Sequence, residues 1–162
     1  MQFLGQIRSA SDELLLLFMC QNDPGLCEEW DADGGGNQVI AVGTSELQLL
    51  QPPADGETLR QTRHGASLLT VDAADYDQAR SQWMESSAKP GREVLGQLGG
   101  EPSWLQNDET PQCDSCRQPM EFVAQLEQGP DWKTEMNFGG GGCAYIFRCS
   151  CAGGSAKLLW QC

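Results

Sequence analysis

The chain has 162 residues, 40% of them hydrophobic and 20% charged, which is typical of a globular domain and argues against wholesale disorder. The 23 acidic and 10 basic residues give a net charge of −13, which argues against nonspecific nucleic-acid binding, because such binding relies on Lys and Arg at phosphates. The longest apolar run, Leu14 to Cys20, is far shorter than the roughly 20 residues that span a bilayer.

The sequence carries no recognisable targeting segment. A basic stretch followed by an apolar run and a small-residue cleavage site, the pattern of a signal peptide, does not occur. We therefore expect a cytoplasmic protein without membrane association. In that compartment cysteines stay reduced, and closely spaced pairs bind metal more often than they form disulfides.

The first third of the chain predicts three strands. Residues 1–7 and 14–20 are apolar runs separated by a short polar turn, and residues 38–42 form a third run. Residues 21–36 lie between the second and third runs and carry strong turn formers, so they predict a loop.

The middle of the chain predicts one helix. Residues 52–57 have the composition of a linker, whereas residues 72–87 place apolar side chains at helical spacing. Asp72 is the expected N-cap, and Pro90 prevents the helix from continuing. A short strand is predicted over residues 93–98.

The last third repeats the pattern of the first. Two similar heptads occur, Met1-Gln2-Phe3-Leu4-Gly5-Gln6-Ile7 and Met120-Glu121-Phe122-Val123-Ala124-Gln125-Leu126, which share Met, Phe and Gln at the same positions. An apolar run that ends on a cysteine follows each heptad, which indicates an internal repeat. The strands predicted for the second copy cover residues 120–126, 143–149 and 156–161.

These elements predict an α+β fold of duplicated, mainly antiparallel β-sheet units, with one clear helix at about 72–87 and zinc-ribbon-like cysteine loops. We expect a first repeat at 1–50, a linker with the helix at 51–98 and a second, complete repeat at 99–162, together one compact pseudo-symmetric domain. The first repeat has no counterpart of residues 99–119, so we expect that Met1 is an internal start, a truncation or a gene-model error.

The cysteines carry the strongest chemical signal. Cys113 and Cys116 stand two residues apart in a loop flanked by prolines, a spacing that lets two thiolates reach one tetrahedral Zn²⁺. Cys149 and Cys151 are the candidate second pair, although one intervening residue is tighter than the usual spacing. We predict a structural zinc site formed by these four residues. Unmetallated buried thiols and a disulfide or redox pair are the alternatives.

Cys20 and Cys27 correspond in the first copy to Cys149 and Cys151, and they form a possible second metal half-site; buried or idle thiols are the alternative. A redox role for Cys113 is disfavoured, because a reactive pair of this kind usually opens a helix.

No set of residues predicts catalysis. His64 is the single histidine, and without a nucleophile or a paired carboxylate it makes no catalytic constellation, so we expect a solvated loop or an anion contact. Trp104, Trp30 and Trp132 stand at loop or strand ends, where such residues either cover the core or contact a protein partner.

Four motifs occur in a recognisable order: Gly-Gly-x-Pro-x-Trp from Gly99, Pro-x-Cys-x-x-Cys from Pro111, Met-x-Phe-x-x-Gln-Leu from Met120, and the stretch Asn137 to Cys151. With these motifs the chain resembles the bacterial YwqG-like family and, more distantly, the eukaryotic programmed cell death protein 2 family. The resemblance implies a duplicated β fold, zinc-binding cysteines and a non-enzymatic role, as a chaperone, an adaptor or an immunity protein beside a toxin.

We therefore expect a non-enzymatic protein-binding module with a structural zinc and a partner that is a protein or peptide. The acidic surface favours a basic partner. A metal-dependent or thiol-dependent enzyme is the first alternative, and a zinc-dependent RNA-binding or ribosome-assembly factor is the second.

Overall fold

The chain forms two antiparallel sheets and one α-helix. The structure is a computed structural model, and it describes residues 1–9, 12–22, 25–49, 51–56, 58–60 and 65–162. His64 lies outside these ranges. No helix in the described ranges is long and apolar enough to cross a membrane.

The first sheet has three strands in the order β1, β2, β3, which run Gln2–Arg8, Glu13–Met19 and Asn37–Gly43. Side chains alternate between its faces, because successive residues of a strand point in opposite directions. Leu15, Leu17 and Met19 are fully buried on the inner face, whereas the residues between them are partly exposed on the outer face. The three strands predicted from the sequence are confirmed.

The second sheet has four strands in the order β4, β5, β6, β7. Their bounds are Gly96–Leu98, Glu121–Glu127, Cys143–Arg148 and Ala156–Gln161. The central strand β6 is buried over its first five residues, because the first sheet covers one face and residues 99–119 cover the other. We call residues 99–119 the cover segment.

One hydrophobic core joins the two sheets. Strand β3 lies next to β7, and the backbone N–H of Trp160 donates to the carbonyl of Trp30 at 3.1 Å. Buried residues of both sheets meet in this core: Ile7, Leu15, Leu17, Met19 and Val39 from the first, with Ala124, Ala144, Ile146 and Leu158 from the second. Burial of this apolar surface at about 25 cal/mol per Å² is the main force that holds the sheets together.

Strands β1 to β3 of the first sheet and β5 to β7 of the second pair in the same register. Phe3 pairs with Phe18 in the first sheet, and Phe122 pairs with Phe147 in the second. In both sheets one residue of the heptad strand is then left out of the pairing. Pairing resumes at Gly5 in β1 and at Ala124 in β5. The irregularity therefore falls at the same heptad position in both sheets.

The helix α1 runs Tyr76–Ser87, so its predicted existence is confirmed and its predicted start at Asp72 is wrong. Asp75 is the N-cap, since its carboxylate accepts from the backbone N–H of Gln78 at 2.8 Å. The helix ends at Ala88, which adopts a left-handed conformation with φ of 55°. Tyr76 is the buried residue of the helix.

The strand predicted over residues 93–98 is shorter than expected. Residues Gly91–Glu93 form a 3₁₀ turn, and only Gly96–Leu98 pair with β5. A second 3₁₀ turn, Thr44–Glu46, follows the first sheet.

Candidate metal centre

Four cysteines meet where the cover segment reaches the end of β6. The sulfur atoms of Cys113, Cys116, Cys149 and Cys151 all lie within 4.8 Å of one another. The Sγ atoms of Cys113 and Cys151 are 3.7 Å apart, and those of Cys116 and Cys149 are 3.6 Å apart. A tetrahedral ion with four sulfur ligands at about 2.3 Å requires sulfur–sulfur distances of about 3.8 Å. The cluster therefore has the dimensions to hold a metal ion.

The first pair of cysteines lies on a tight turn of the cover segment. The backbone N–H of Cys113 donates to the carbonyl of Gln118 at 3.0 Å, and that of Arg117 donates to Cys113 at 2.8 Å. Arg117 has a left-handed φ of 61°, which lets the chain reverse just after Cys116. This turn directs both thiols toward the end of β6.

The second pair lies on the connection between β6 and β7. The N–H of Cys149 donates to the carbonyl of Ser155 at 3.0 Å, and that of Gly154 donates to Cys151 at 2.7 Å. A Cβ atom at Gly154 would overlap the carbonyl oxygen of Cys149, so this turn requires glycine. The sharp reversal explains how ligands only two positions apart can face the same point.

The two turns contact each other through side chains as well as sulfur atoms. The hydroxyl of Ser115 donates to the carbonyl of Gly153 at 2.7 Å. Cys113 is fully buried and Cys149 nearly so, whereas Cys116 and Cys151 are partly exposed. The hydrogen bond from Ser115 thus holds the two turns next to each other.

Electrostatics within the cluster favour a cation. Backbone N–H groups of Cys116 and Ser155 hold the pKa of Cys113 at about 5, which favours its thiolate. The hydrogen bond with Cys149, together with burial, raises the pKa of Cys151 to about 12. A bound cation would favour the thiolate forms of these ligands.

Two basic residues of the second sheet support the loops. The side chain of Lys157 is 7% exposed, and its Nζ donates to Asp114 at 2.8 Å. It also donates to Asp33 in the loop between β2 and β3. Burial lowers the pKa of Lys157. The hydrogen bonds to these two carboxylates together raise it by more than burial lowers it, so the pKa lies above its ordinary value. The hydrogen bond from Lys157 likewise lowers the pKa of Asp114.

Arg148 has a similar role one strand away. Its guanidinium donates to the carbonyls of Cys149 and Gly154 at 2.6 and 2.8 Å, and it pairs with Glu13 at 3.2 Å. The sequence analysis missed both Arg148 and Lys157. Their signal was a basic residue next to an apolar run: Arg148 is the last residue of β6, and Lys157 is the second residue of β7.

Trp104 covers the outer face of the second sheet beside the cluster. Its ring lies 4.5 Å from Tyr145 and 5.9 Å from Phe147, measured between centroids. The Tyr145 hydroxyl donates to the carbonyl of Ser103 at 2.8 Å and accepts from the N–H of Leu105 at 3.1 Å. This packing agrees with the interpretation of Trp104 as core cover.

The other predicted contact residues lie elsewhere. Trp30 is 40% exposed and meets Trp160 edge to face, with centroids 6.5 Å apart. Trp132 is 76% exposed, and Lys133 lies over its ring. Roles for Trp104, Trp30 and Trp132 in partner binding stay predictions.

Cys20 and Cys27 lie next to each other, with their sulfur atoms 3.0 Å apart. The N–H of Cys20 donates to the carbonyl of Gly36 just before β3, as Cys149 does just before β7. Among the described residues, however, only the four-cysteine group unites three or more potential metal ligands. Metal binding by Cys20 and Cys27 therefore stays a prediction.

The remaining two cysteines lie outside the cluster. Burial raises the pKa of Cys143 to about 11, as expected for a thiol that packs as a small apolar side chain. Cys162 is exposed.

No protein-family model, curated protein or solved structure matches the chain.

Proposed function

We propose that the protein is a non-enzymatic protein-binding module whose cysteine loops are held by one structural zinc ion. The observation that carries the structural part is the four-sulfur cluster, with sulfur–sulfur distances of 3.6 and 3.7 Å. Cysteine is a soft ligand, and a tetrahedral set of four thiolates is typical of structural zinc.

The arrangement argues against a catalytic metal. Four protein ligands complete a tetrahedral shell, whereas a catalytic zinc keeps one position for water or substrate. It argues equally against a thiol enzyme, because Cys113, the cysteine with the lowered pKa, is fully buried. A nucleophile needs an approach path for its substrate.

The protein-binding part rests on surface chemistry. A net charge of −13 accelerates association with a basic polypeptide and repels RNA, so a basic protein or peptide is the favoured partner. We place the protein in the cytoplasm, where the thiols would remain available for zinc.

We also propose that the two sheets are copies of one unit. The shared heptad, the shared register and the irregularity at the same heptad position support this duplication. The resemblance to the YwqG-like and programmed cell death protein 2 families belongs to the same proposal, and the zinc-ribbon-like character of the loops follows from it.

Affinity capture tests the function. The protein with its metal would be immobilised and exposed to a lysate of its own host at low salt, beside a Cys116→Ser, Cys151→Ser variant. We expect a basic polypeptide at one-to-one stoichiometry on the intact protein, released by high salt and recovered in smaller amount on the variant, because loss of the metal destabilises the domain that carries the binding surface. Failure to recover any stoichiometric polypeptide would contradict the proposal.

Alkylation tests the enzyme alternative. Four zinc-bound thiolates react slowly with iodoacetamide while the metal is present. Rapid, selective labelling of Cys113 or Cys116 in the zinc-loaded protein would support a thiol enzyme instead.

A further inference from the structure

The outer face of the first sheet is apolar and partly open to solvent. We define it by Phe3 on β1, Leu16 and Phe18 on β2, and Ile40 on β3. Leu16 pairs with Ile40 and Phe3 with Phe18, so the four side chains lie on one face. Ile40 is 40% exposed and the other three are partly exposed.

Each of these residues has a counterpart in the second sheet. The common register matches Phe18 with Phe147, Leu16 with Tyr145 and Ile40 with Leu159. These three counterparts are almost completely buried, with exposures of 1%, 0% and 2%, whereas Phe122, the counterpart of Phe3, is partly exposed as Phe3 is. The two outer faces thus share an apolar surface in the same register but differ in how far their last two strands are covered.

The contacts of the cover segment on the second sheet show which groups can bind to such a face. Trp104 lies over Tyr145 and Phe147, and the carboxamide oxygen of Gln125 accepts from the backbone N–H of Ser103 at 2.9 Å. Gln6 is the counterpart of Gln125, on the same face of the first sheet, and it is exposed. The first sheet therefore presents both the apolar surface and the carboxamide that hold a segment of this kind.

We propose that the outer face of the first sheet is the docking site of the protein partner, and that the partner contributes an extended segment with a tryptophan-type side chain. The indole lies over Phe18 and Leu16, and a backbone N–H of the segment donates to Gln6. Leu16 lacks the hydroxyl by which Tyr145 holds two backbone groups of the cover segment, so the docked segment exchanges more readily. This inference rests on the proposed function and names its surface.

The test uses the metal-loaded full chain and a synthetic peptide with the sequence of residues 99–106, in which lysine replaces Glu101. Amide chemical shifts are followed by two-dimensional NMR while the peptide is raised to millimolar concentration. We expect perturbations at Gln6, Leu16, Phe18 and Ile40. A peptide with alanine in place of tryptophan should leave these signals unchanged.

Protein variants give a second readout. Ile40→Asp should weaken peptide binding at least about tenfold, because it places a charge in the apolar contact. Leu98→Asp is the matched control, since Leu98 is also exposed, at 46%, and lies on the edge strand of the second sheet. It should bind as the unaltered protein does.

Three results would overturn the inference. The first is the absence of chemical-shift changes on the first sheet, and the second is changes confined to the second sheet, where the peptide would displace the cover segment. The third is self-association that Ile40→Asp abolishes, because a second copy of the chain would then occupy the face. These results are separable from failure of the proposed function. A partner captured equally by the unaltered protein and by Ile40→Asp leaves the function standing and removes this surface.

Discussion

Cys113 and Cys151 are 38 residues apart in the sequence, and their sulfur atoms lie 3.7 Å apart. The contact joins the cover segment to the turn between β6 and β7. A metal ion held there would connect a segment with little regular structure to the end of β6, an inner strand of the second sheet. The metal site and the packing of Trp104 should therefore be energetically coupled.

Removal of the metal should loosen the cover segment. A strong chelator should lower the melting temperature and expose Trp104, because the four thiolates then lose the ion that holds the two turns together. Thermal unfolding followed by tryptophan fluorescence measures both effects.

Single cysteine substitutions supply the control for chelation. Cys116→Ser should lower the melting temperature to nearly the chelated value and make it insensitive to chelator. Cys162→Ser should behave as the unaltered protein, since Cys162 is exposed and outside the cluster. Equal sensitivity of both variants to chelator would refute the assigned ligands.

Gly154→Ala should weaken metal binding. An added Cβ would overlap the carbonyl oxygen of Cys149, so the turn has to open and the two sulfur atoms of this loop move apart. Competition with a chromophoric chelator measures the affinity. Gly43→Ala is the control, because a Cβ there meets nothing within 4 Å.

Trp104→Ala should destabilise the fold by about 2–3 kcal/mol, since it removes a large aromatic side chain that stacks on Tyr145 and Phe147. Trp132→Ala should change stability by less than about 0.5 kcal/mol, because Trp132 is 76% exposed. Urea unfolding compares the two variants. Similar losses for both would contradict the assignment of Trp104 as cover.

Lys157→Met should lower stability by about 1 kcal/mol, because it breaks the bonds to Asp33 and Asp114 while both carboxylates remain solvated. Zinc affinity should fall as well, since Lys157 no longer anchors Asp114, the residue next to the ligand Cys113. Lys133→Met serves as the exposed control. Unchanged zinc affinity in Lys157→Met would show that this lysine supports the fold alone.

Stability should decrease at alkaline pH. Burial raises the pKa of Tyr145 to about 12, above its ordinary value of about 10, so its contribution is complete below about pH 10 and is lost as the pH rises toward 12. Tyr145→Phe should flatten part of this decline in urea unfolding between about pH 9 and pH 12. An unaltered slope would contradict the burial of the phenol.

The strands and the cysteine cluster could be predicted because local patterns encode them. The two similar heptads and the continuous apolar run from Leu14 to Met19 each predict a strand that lies against a hydrophobic core. The spacing of Cys113 and Cys116 likewise restricts the geometry of the sulfur atoms before the fold is known.

Other features depend on distant contacts and were missed. Asp72 and Asp75 are equally good caps by residue type, but the helix begins at Tyr76, whose hydroxyl donates to Glu127, 51 residues further along the chain, at 2.8 Å. The burial of Lys157 depends on carboxylates of two separate loops, which no local pattern brings together. Contacts between residues far apart in the sequence therefore determine features that local sequence patterns do not predict.

X-ray absorption spectroscopy at the zinc edge, combined with elemental analysis of the purified chain, is the sharpest test of the metal site. We expect one zinc per chain with four sulfur neighbours at about 2.3 Å. A folded protein without zinc, a shell containing nitrogen or oxygen ligands, or a disulfide between Cys113 and Cys151 would contradict this expectation.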